Sequence, residues 1–530
     1  MPSTKDIFEY SQVRDRILSG LAKVSDPVVG TLTPQGKNVI FEDEIGNIFS
    51  TNDGYTIIKN ITLDDPVENA IASMVKQASF KTNIVAGDGT TTTILMASNL
   101  IRNGFKLIDN GWNPMDLSRN LENLSSLLID EIDKRKVKVK NDTDLEYIAL
   151  VSSNNDKEVA KNVSNVIKKS GEDGLVFLED TNRDVVEIVE ENGFVLNSGY
   201  FSNYLINNKE KMTAQYDKVL VMITDRRIYY EEEVLAILNK VASFEQNKVV
   251  VIAKDFIGQA PNIFISNHID GKINMNILLV KETDDDVLED LASYLGVEIL
   301  TEKRGSIIEQ LSERHFSLVN KAYSDKHRSV IAKVVLKDNK ELDKRIEAIK
   351  SKLEEVNKDS PEEKKLRGRL ACLTKGITTI KVGGKTQAEV REKLFRYEDS
   401  INATRNALKD GYVLGGGVTL WSIFRNLPKR TYAELQDDLK DLLKKFCQSP
   451  LEQIAKNCNL HLPTVLENVT DTIGYNAVTE TYADMQESGI IEPVMVLKSA
   501  VENSFSIARI ILSGNYFILT KQKTEQKHED

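Results

Sequence analysis

One aspartate stands between two glycines and is followed by four threonines. The segment reads Ala86-Gly87-Asp88-Gly89-Thr90-Thr91-Thr92-Thr93-Ile94. It lies between two stretches with helical spacing of apolar residues, 66–82 and 95–108. Glycine permits a tight turn and close approach of a ligand, and a helix N-terminus presents unpaired N–H groups to an anion such as phosphate. Because Asp88 would repel a bare phosphate, the pattern indicates a hard cation such as Mg²⁺ between carboxylate and phosphate.

An ordinary glycine turn with a threonine N-cap would explain only one glycine and one threonine of this segment. The common phosphate-binding P-loop is excluded, since no Gly-Lys-Ser/Thr follows at the required spacing. We therefore interpret residues 86–94 as part of a nucleotide-binding site.

Two further acids stand close to glycine turns. Asp53 precedes Gly54, and Asp399 lies in a predicted helix ahead of the run Gly415-Gly416-Gly417. Turn chemistry accounts for Asp53 taken alone. Since such elements occur near both ends of the chain, we expect one nucleotide-binding domain built from both termini, with the middle of the chain inserted into it.

Composition limits the classes of protein that remain. The chain has 530 residues, which predicts about three domains, and its net charge of −11 argues against a nucleic-acid partner. We see no signal peptide and no run of about eighteen apolar residues, so no membrane association is expected. The three cysteines, Cys372, Cys447 and Cys458, and the five histidines are scattered. Neither disulfides nor a zinc site is predicted, and we expect a cytoplasmic protein.

The periodicity of apolar residues predicts a mixed α/β chain. Helices are expected near 18–24 (ending before Pro27), 66–82, 95–108, 115–134, 144–151, 156–169, 345–373 (broken at Ser360-Pro361) and 387–408. Strands are expected at 38–41, 47–50, 174–178, 218–224, 248–253, 276–281, 297–300, 378–382 and 515–519, and a loop at 474–477. Alternation of strands and helices after residue 193 favours a parallel-rich sheet.

Two predicted helices in the middle of the chain carry apolar residues on more than one face. They contain Val234, Leu235, Ile237, Leu238 and Val241, and Ile263, Phe264 and Ile265. Burial in the core explains about half of them. The remainder could form an exposed groove for apolar partners.

Several motifs together resemble those of a group I chaperonin, the GroEL type, from about Lys5 to Leu519. The matching motifs are Leu32-Thr33-Pro34, Asp53-Gly54, Gly87-Asp88-Gly89-Thr90-Thr91-Thr92, Tyr397-Glu398-Asp399, Ala403-Thr404-Arg405, Gly415-Gly416-Gly417 and Gly474-Tyr475-Asn476-Ala477. The resemblance implies an α+β multidomain fold with three domains: a mostly helical equatorial ATPase domain (1–134 and 411–530), a small intermediate hinge domain (135–192 and 376–410) and an apical substrate-binding domain (193–375). It also implies a homo-oligomeric ring, typically of seven subunits, that encloses a folding chamber.

The resemblance assigns roles to matching positions. Asp88 would hold Mg²⁺, and Gly89, Thr90, Thr91 and Thr92 would surround the phosphates of ATP. Asp399 would orient or activate the attacking water, with Asp53 assisting. The nucleoside would be lined by Leu32, Thr33, Pro34, Gly415, Gly416, Asn476, Ala477 and Glu492. Three departures bear on nucleotide affinity: Thr33 replaces a family glycine, Asn52 a lysine, and Glu492 an aspartate.

In the apical region, the resemblance implies that non-native polypeptides and a lid co-chaperonin bind the same face. The matching residues are Tyr200, Tyr204, Leu205, Leu235, Leu238, Phe264 and Ile265. Pro261 and Ser266 stand where the family has apolar residues, and an acidic run at 282–286 replaces a glycine-arginine stretch. We therefore expect weak lid binding or no dedicated co-chaperonin. Such departures within an intact ATPase frame suggest a specialised or virus-encoded relative.

The number of rings is a separate question. Where the family pairs charges between two rings, Glu452 replaces an arginine, and His461 and Leu462 stand close to the position of an acidic residue. An exposed ion pair contributes only about 0.2–1 kcal/mol, but the contact repeats around the ring, so the effect of the reversal is multiplied. The reversal therefore favours a single ring or a loosely paired one. An apolar contact through Leu460 and Leu462 would instead preserve a double ring.

Two alternative functions remain open at this stage. A ring ATPase that serves as a scaffold or assembly factor would keep Asp53, Asp88 and Asp399 but lose apolar residues from its apical face. A small-molecule kinase would require a second pocket for a phosphate acceptor, and no constellation of residues for one is found.

Overall fold

The computed structural model describes the whole chain except residues 1–4, 43–47, 172–174, 182, 210–211, 271–275, 303–307, 334–339, 357–359, 375 and 521–530. Its helices are α1 Tyr10–Val29, α2 Gly54–Asn60, α3 Pro66–Ala86, α4 Thr90–Asp109, α5 Pro114–Arg135, α6 Asp142–Ser152, α7 Lys157–Ser170, α8 Glu231–Ala242, α9 Ala260–Asp270, α10 Asp285–Leu295, α11 Lys340–Glu355, α12 Pro361–Thr374, α13 Gln387–Asp410, α14 Val418–Arg425, α15 Lys429–Glu434, α16 Asp437–Asn457, α17 Leu462–Asn468 and α18 Val494–Leu512. Its strands are β1 Lys5–Glu9, β2 Val39–Glu42, β3 Ile48–Thr51, β4 Leu175–Thr181, β5 Val186–Leu196, β6 Ala214–Ile228, β7 Lys248–Phe256, β8 Asn276–Lys281, β9 Phe316–Ser324, β10 Ser329–Ala332, β11 Gly376–Gly383, β12 Tyr412–Leu414, β13 Ile473–Asn476, β14 Thr481–Asp484, β15 Ile491–Pro493 and β16 Tyr516–Thr520.

The chain forms two compact units. Unit 1 comprises Met1–Asp173, Leu178–Val186 and Lys381–Asp530, and unit 2 comprises Gly174–Phe177 and Glu187–Ile380. The chain therefore enters and leaves unit 2 near the ends of the predicted apical segment, 193–375. The further division of unit 1 into equatorial and intermediate domains stays a prediction.

Unit 1 is built mainly of helices, most of which pack around a large apolar core. In α1, Val13, Ile17, Leu21, Val24 and Val28 repeat at helical spacing and are all buried. They pack with apolar side chains of α3, α4, α5, α16 and α18. Small antiparallel pairs complete the unit: β1 with β16, β2 with β3, β12 with β15, and β13 with β14.

Unit 2 is organised around a mixed sheet with the strand order β4-β11-β5-β10-β9-β6-β7-β8. Strands β6, β7 and β8 are parallel, as the sequence predicts, whereas β9 and β10 are antiparallel to their neighbours. Along β6, Val219, Val221 and Ile223 face one apolar cluster, while Leu220 and Met222 face the other. Both faces of the sheet are therefore covered, as the alternation of side chains along a strand requires.

Three predictions of local structure are wrong. Pro27 does not end the first helix but lies inside α1; burial of Val24 and Val28 outweighs the lost backbone hydrogen bond. Residues 297–300 form only an isolated bridge between Leu300 and Thr224. The predicted loop at 474–477 is largely strand β13, because its backbone pairs with β14.

Among the described helices, none combines the length and the apolar character that a membrane crossing requires.

Candidate functional site

The turn between α3 and α4 requires both of its glycines. Gly87 and Gly89 have left-handed backbones, with φ of 74° and 89°. A Cβ on Gly87 would overlap the Cβ of Asn402 and come within 2.8 Å of its Cγ, and a Cβ on Gly89 would lie 2.9 Å from Val496. Asp88 lies between them, and its carboxylate accepts a hydrogen bond from the N–H of Gly89. The turn therefore presents Asp88 directly before the unpaired N–H groups at the start of α4.

The four threonines of α4 divide into two groups. Thr93 is buried, and its hydroxyl lies 2.9 Å from both the Thr82 hydroxyl and the Gly89 carbonyl. Thr91 and Thr92 remain partly exposed, whereas Thr90 is buried, with only 7% of its surface exposed. A Cβ on Gly54 would overlap the Thr91 hydroxyl. The turn that carries Asp53 thus lies directly against the first turn of α4.

The charge of Asp53 acts on Asp88, and the charge of Asp88 acts on Glu492. Burial is the main cause that raises the pKa of Asp88 to about 6; the negative charge of Asp53 acts in the same direction, and hydrogen bonds from the Gly89 N–H and Ser152 act in the opposite one. Burial, reinforced by the charge of Asp88, raises the pKa of Glu492 to about 8. Asp53 caps α2 by accepting hydrogen bonds from the N–H groups of Tyr55 and Thr56 at 3.3 and 2.7 Å. Carboxylates that repel one another in a partly buried site favour a cation between them.

Helix α13 runs beside the same turn. The Asn406 side-chain amide donates to the Ala86 carbonyl at 2.7 Å, and Asn402 contacts Gly87. Asp399 precedes these residues by three and seven positions, so it lies on the same face of the helix. This spacing places Asp399 on the side of α13 that faces the turn.

A second wall is formed by β12, β15 and the glycine run. Val413 pairs with Glu492 across these strands, and the Gly415 N–H donates to the Ile490 carbonyl at 2.9 Å. Gly416 has φ of 62°, and a Cβ there would lie 3.4 Å from the Met485 sulfur. The pairing of β12 with β15 therefore brings Glu492 beside the glycine run.

The predicted nucleoside wall forms a second, adjoining group. The Asn457 side chain donates to the Leu32 carbonyl at 2.8 Å, and Gln35 donates to the Ala477 carbonyl at 3.1 Å. Thr33 has φ of 79°, a left-handed conformation that suits glycine better than threonine. Pro34 is exposed.

The buried Asn476 organises the other side of this wall. Its side-chain oxygen accepts hydrogen bonds from the N–H groups of Val478 and Thr479, so this oxygen supports the turn. The structure thus brings residues 32–34 together with 476 and 477. Met485 joins this group to the glycine run, because Cβ atoms placed on Gly474 and Gly416 would both approach its sulfur.

The seven predicted apical residues are not equally accessible in unit 2. Tyr204 is 69% exposed and Leu235 41% exposed, and Ile265 is half-buried. The other four are buried: Tyr200, Leu205, Leu238 and Phe264. The prediction of a seven-residue contact surface is corrected for these four, since they pack beneath the surface and cannot touch a partner in this conformation.

Sequence reasoning missed three polar residues at the turn. Ser152, at the end of α6, donates to Asp88, and nothing in its sequence context signals this. Asn402 and Asn406 could have been found, because they recur at helical spacing after Asp399. Within the described residues, no group of three or more His, Cys, Asp or Glu side chains forms a metal site by itself. Mg²⁺ typically takes one or two carboxylates together with substrate phosphates, so the carboxylates here fit that pattern.

Comparison with known proteins places these observations in context. Residues 24–522 match the TCP-1/cpn60 chaperonin family. The chain is also similar to two crystal forms of the chaperonin gp146 from bacteriophage EL 2 (Pseudomonas aeruginosa), determined in the presence of ATP-BeFx. Form I is 21% identical with a TM-score of 0.63, and form II is 20% identical with a TM-score of 0.64. Each comparison covers 97% of this chain and 99% of the phage protein.

Proposed function

Because the chain belongs to the TCP-1/cpn60 chaperonin family, we propose that this chaperone binds and hydrolyses ATP with Mg²⁺ and uses the cycle to fold captured polypeptides in a ring. The observation that carries the proposal is the meeting of Asp88, Asp53 and Glu492 before the N-terminus of α4. A site for phosphate alone would not contain three acids. A site for phosphate together with a divalent cation would contain both the acids and the helix N-terminus. The phage chaperonin crystallised with ATP-BeFx supports the same ligand.

On this proposal, the chain mainly positions groups, as phosphoryl transfer requires. Thr91, Thr92 and the N–H groups of α4 hold phosphate oxygens, and Asp88 holds the cation. Asp399 orients the attacking water and accepts its proton, with Asp53 assisting. Bound Mg²⁺ supplies neutralisation of the phosphate charge. Residues 32–34, 415–416, 476–477 and Glu492 surround the nucleoside.

Replacement of Asp399 tests this assignment. Asp399→Ala should retain ATP binding, measured by calorimetry, while steady-state phosphate release falls by about 10²–10⁴-fold, the usual contribution of a positioned acid or base. Asp410→Ala, about three turns further along α13, is the matched control and should hydrolyse ATP normally. Hydrolysis at the wild-type rate by Asp399→Ala would remove Asp399 from the mechanism.

Ring assembly is supported by two small sheets in unit 1. The pairs β1–β16 and β2–β3 are each two-stranded, and a two-stranded sheet is marginally stable alone. They expose four isoleucines by 61–75%: Ile7, Ile518, Ile40 and Ile48. Pairing between subunits would cover these side chains and the free strand edges. We expect a ring of seven subunits, as in the family.

Capture of non-native chains is proposed for the apical residues that remain accessible, Tyr204, Leu235 and Ile265. Leu235→Ser should weaken the binding of a denatured model protein and leave ATP hydrolysis unchanged. Leu238→Ser, three residues further along the same helix but only 2% exposed, should instead destabilise unit 2. If Leu235→Ser captures denatured protein as well as wild type does, α8 is not the capture surface.

The scaffold function remains as a second candidate, favoured by the burial of Tyr200, Leu205, Leu238 and Phe264. A wild-type ring that hydrolyses ATP but fails to suppress aggregation of a denatured protein would establish it. A lid co-chaperonin, for which the same face would be needed, is expected to bind weakly or not at all.

A further inference from the structure

Two tyrosines are exposed side by side at the start of α8. Tyr229 is 49% exposed and Tyr230 62% exposed. Their ring centroids lie 4.9 Å apart with an interplanar angle of 70°, an edge-to-face arrangement that aromatic pairs prefer. Such a pair presents ring surface to solvent that a folded chain ordinarily covers.

The backbone holds this pair in place. The carboxylate of Glu233, which is 5% exposed, accepts hydrogen bonds from the N–H groups of Tyr229 and Tyr230 at 2.8 and 3.0 Å. The Tyr229 ring also lies against Gly258, where an added Cβ would be 3.3 Å from the ring. Because the rings are ordered before any partner arrives, binding loses little conformational entropy.

Acids follow the pair in the first turn of α8, and the Arg226 guanidinium before it lies 3.9 Å from the buried Glu233 carboxylate. Glu231 and Glu232 follow immediately and are exposed, and neither forms an ion pair within the described residues. Among the residues that the structure describes, no lysine or arginine is stacked on the ring of Tyr229 or Tyr230. Acids in a first helical turn are favourable to the helix, but they do not account for the exposed rings. Ring faces and carboxylates both attract cations, so their combination selects a cationic partner.

This surface continues along α8 to Leu235, which lies one turn after Glu231. An extended chain could therefore place an apolar side chain on Leu235 and a lysine or arginine on the tyrosines. We infer that Tyr229, Tyr230, Glu231 and Glu232, the tyrosine–glutamate edge, bind lysine and arginine side chains of non-native polypeptides. The protein then prefers cationic clients, an inference that rests on the proposed capture function.

The test uses the full-length assembled protein and three fluorescent unstructured peptides. They have equal length and leucine content, and differ only in carrying lysine, glutamine or glutamate between the leucines. Fluorescence anisotropy should show the lysine peptide binding about tenfold more tightly than the glutamine peptide, since several weak cation contacts add. The glutamate peptide should bind most weakly. The preference for lysine should shrink at about 1 M salt, where charges are screened within about 3 Å.

Two variants locate the preference. Glu231→Gln/Glu232→Gln changes no packing and should bring the lysine and glutamine peptides to within about threefold of each other. Tyr229→Leu/Tyr230→Leu keeps apolar area and should also reduce the preference. Tyr432→Leu, which removes an exposed tyrosine of unit 1, is the control and should leave it unchanged.

The outcomes separate this inference from the capture function. Equal binding of all three peptides to wild type, or a lysine preference that survives both double variants, would overturn the inference and leave capture intact. Binding of none of the peptides would overturn both.

Discussion

Replacement of Gly87 by alanine tests whether contact with α13 positions the hydrolytic site. Gly87 ends α3 with a left-handed backbone, φ 74° and ψ 0°. Gly296 ends α10 in a similar conformation, φ 66° and ψ 40°. A Cβ on Gly296 would meet nothing within 4 Å, whereas one on Gly87 would overlap Asn402. The two glycines therefore share the backbone requirement and differ in the packing against them.

The expected magnitudes follow from this difference. An alanine in the left-handed region costs roughly 1–2 kcal/mol at either position. At Gly87 the new Cβ would lie 2.8 Å from the Asn402 Cγ and closer to its Cβ, against about 3.5–4.0 Å for normal carbon contacts. The clash involves the base of a helical side chain, so the backbone must move, at a further cost of about 1–3 kcal/mol. A shift of about 1 Å between Asp88 and the Asp399 face of α13 should lower ATP turnover by about 10²-fold.

Steady-state phosphate release and denaturant unfolding measure the two effects. Gly296→Ala should lose stability but hydrolyse ATP normally, whereas Gly87→Ala should lose both. Asn402→Gly, which removes the opposing Cβ, should restore part of the turnover when combined with Gly87→Ala. If Gly87→Ala and Gly296→Ala hydrolyse ATP within about twofold of each other, the close contact with α13 does not set the reactive geometry.

Two further predictions concern charge. The pKa of Glu492 rises from 4.5 to about 8, so its carboxylate destabilises the folded, nucleotide-free protein increasingly as pH rises from about 5 to 8; below pH 4.5 the effect is absent. One pKa unit corresponds to about 1.4 kcal/mol, and partial contact with solvent reduces the expected cost of the ionised carboxylate to roughly 2 kcal/mol. Thermal unfolding should therefore show that Glu492→Gln stabilises the protein at pH 8 but not at pH 5. An equal gain in stability at both pH values would contradict this. For ring number, Glu452 is exposed while Leu460 and Leu462 pack against the core of their own unit, which favours the charge argument. Ultracentrifugation at physiological salt should show a single ring or a reversibly paired one, and Glu452→Arg should increase the pairing between rings. A wild-type species of fourteen subunits that survives dilution and ATP turnover would refute the charge argument.

Local pattern predicted the elements that carry the site. The helices at 66–82, 95–108, 115–134 and 387–408 correspond to α3, α4, α5 and α13 with small changes at their ends. These helices bury one continuous apolar face, and that periodicity is written in neighbouring residues. The glycines around Asp88 were also predicted, because the type of residue itself shows where a left-handed turn occurs.

Long-range partners decided what the sequence left undetermined. Pairing with β14 made a strand of residues 473–476, and pairing of β1 with β16 joined the two ends of the described chain. Leu235 and Leu238 have the same side chain on the same helix, yet only Leu235 reaches the surface, because the sheet covers one face of α8. Sequence identifies an apolar helix, but only packing shows which face is free.

The electrostatics of the site belong wholly to the tertiary structure. Asp53, Asp88 and Glu492 are ordinary acids in the sequence, and the last is about four hundred positions from the others. The pairing of β12 with β15 and the closed turn between α3 and α4 bring them together in a partly buried place. Their chemical identity was set by the sequence, whereas the raised pKa values of Asp88 and Glu492 and the demand for a cation arise from burial and mutual repulsion, which exist only in the folded chain.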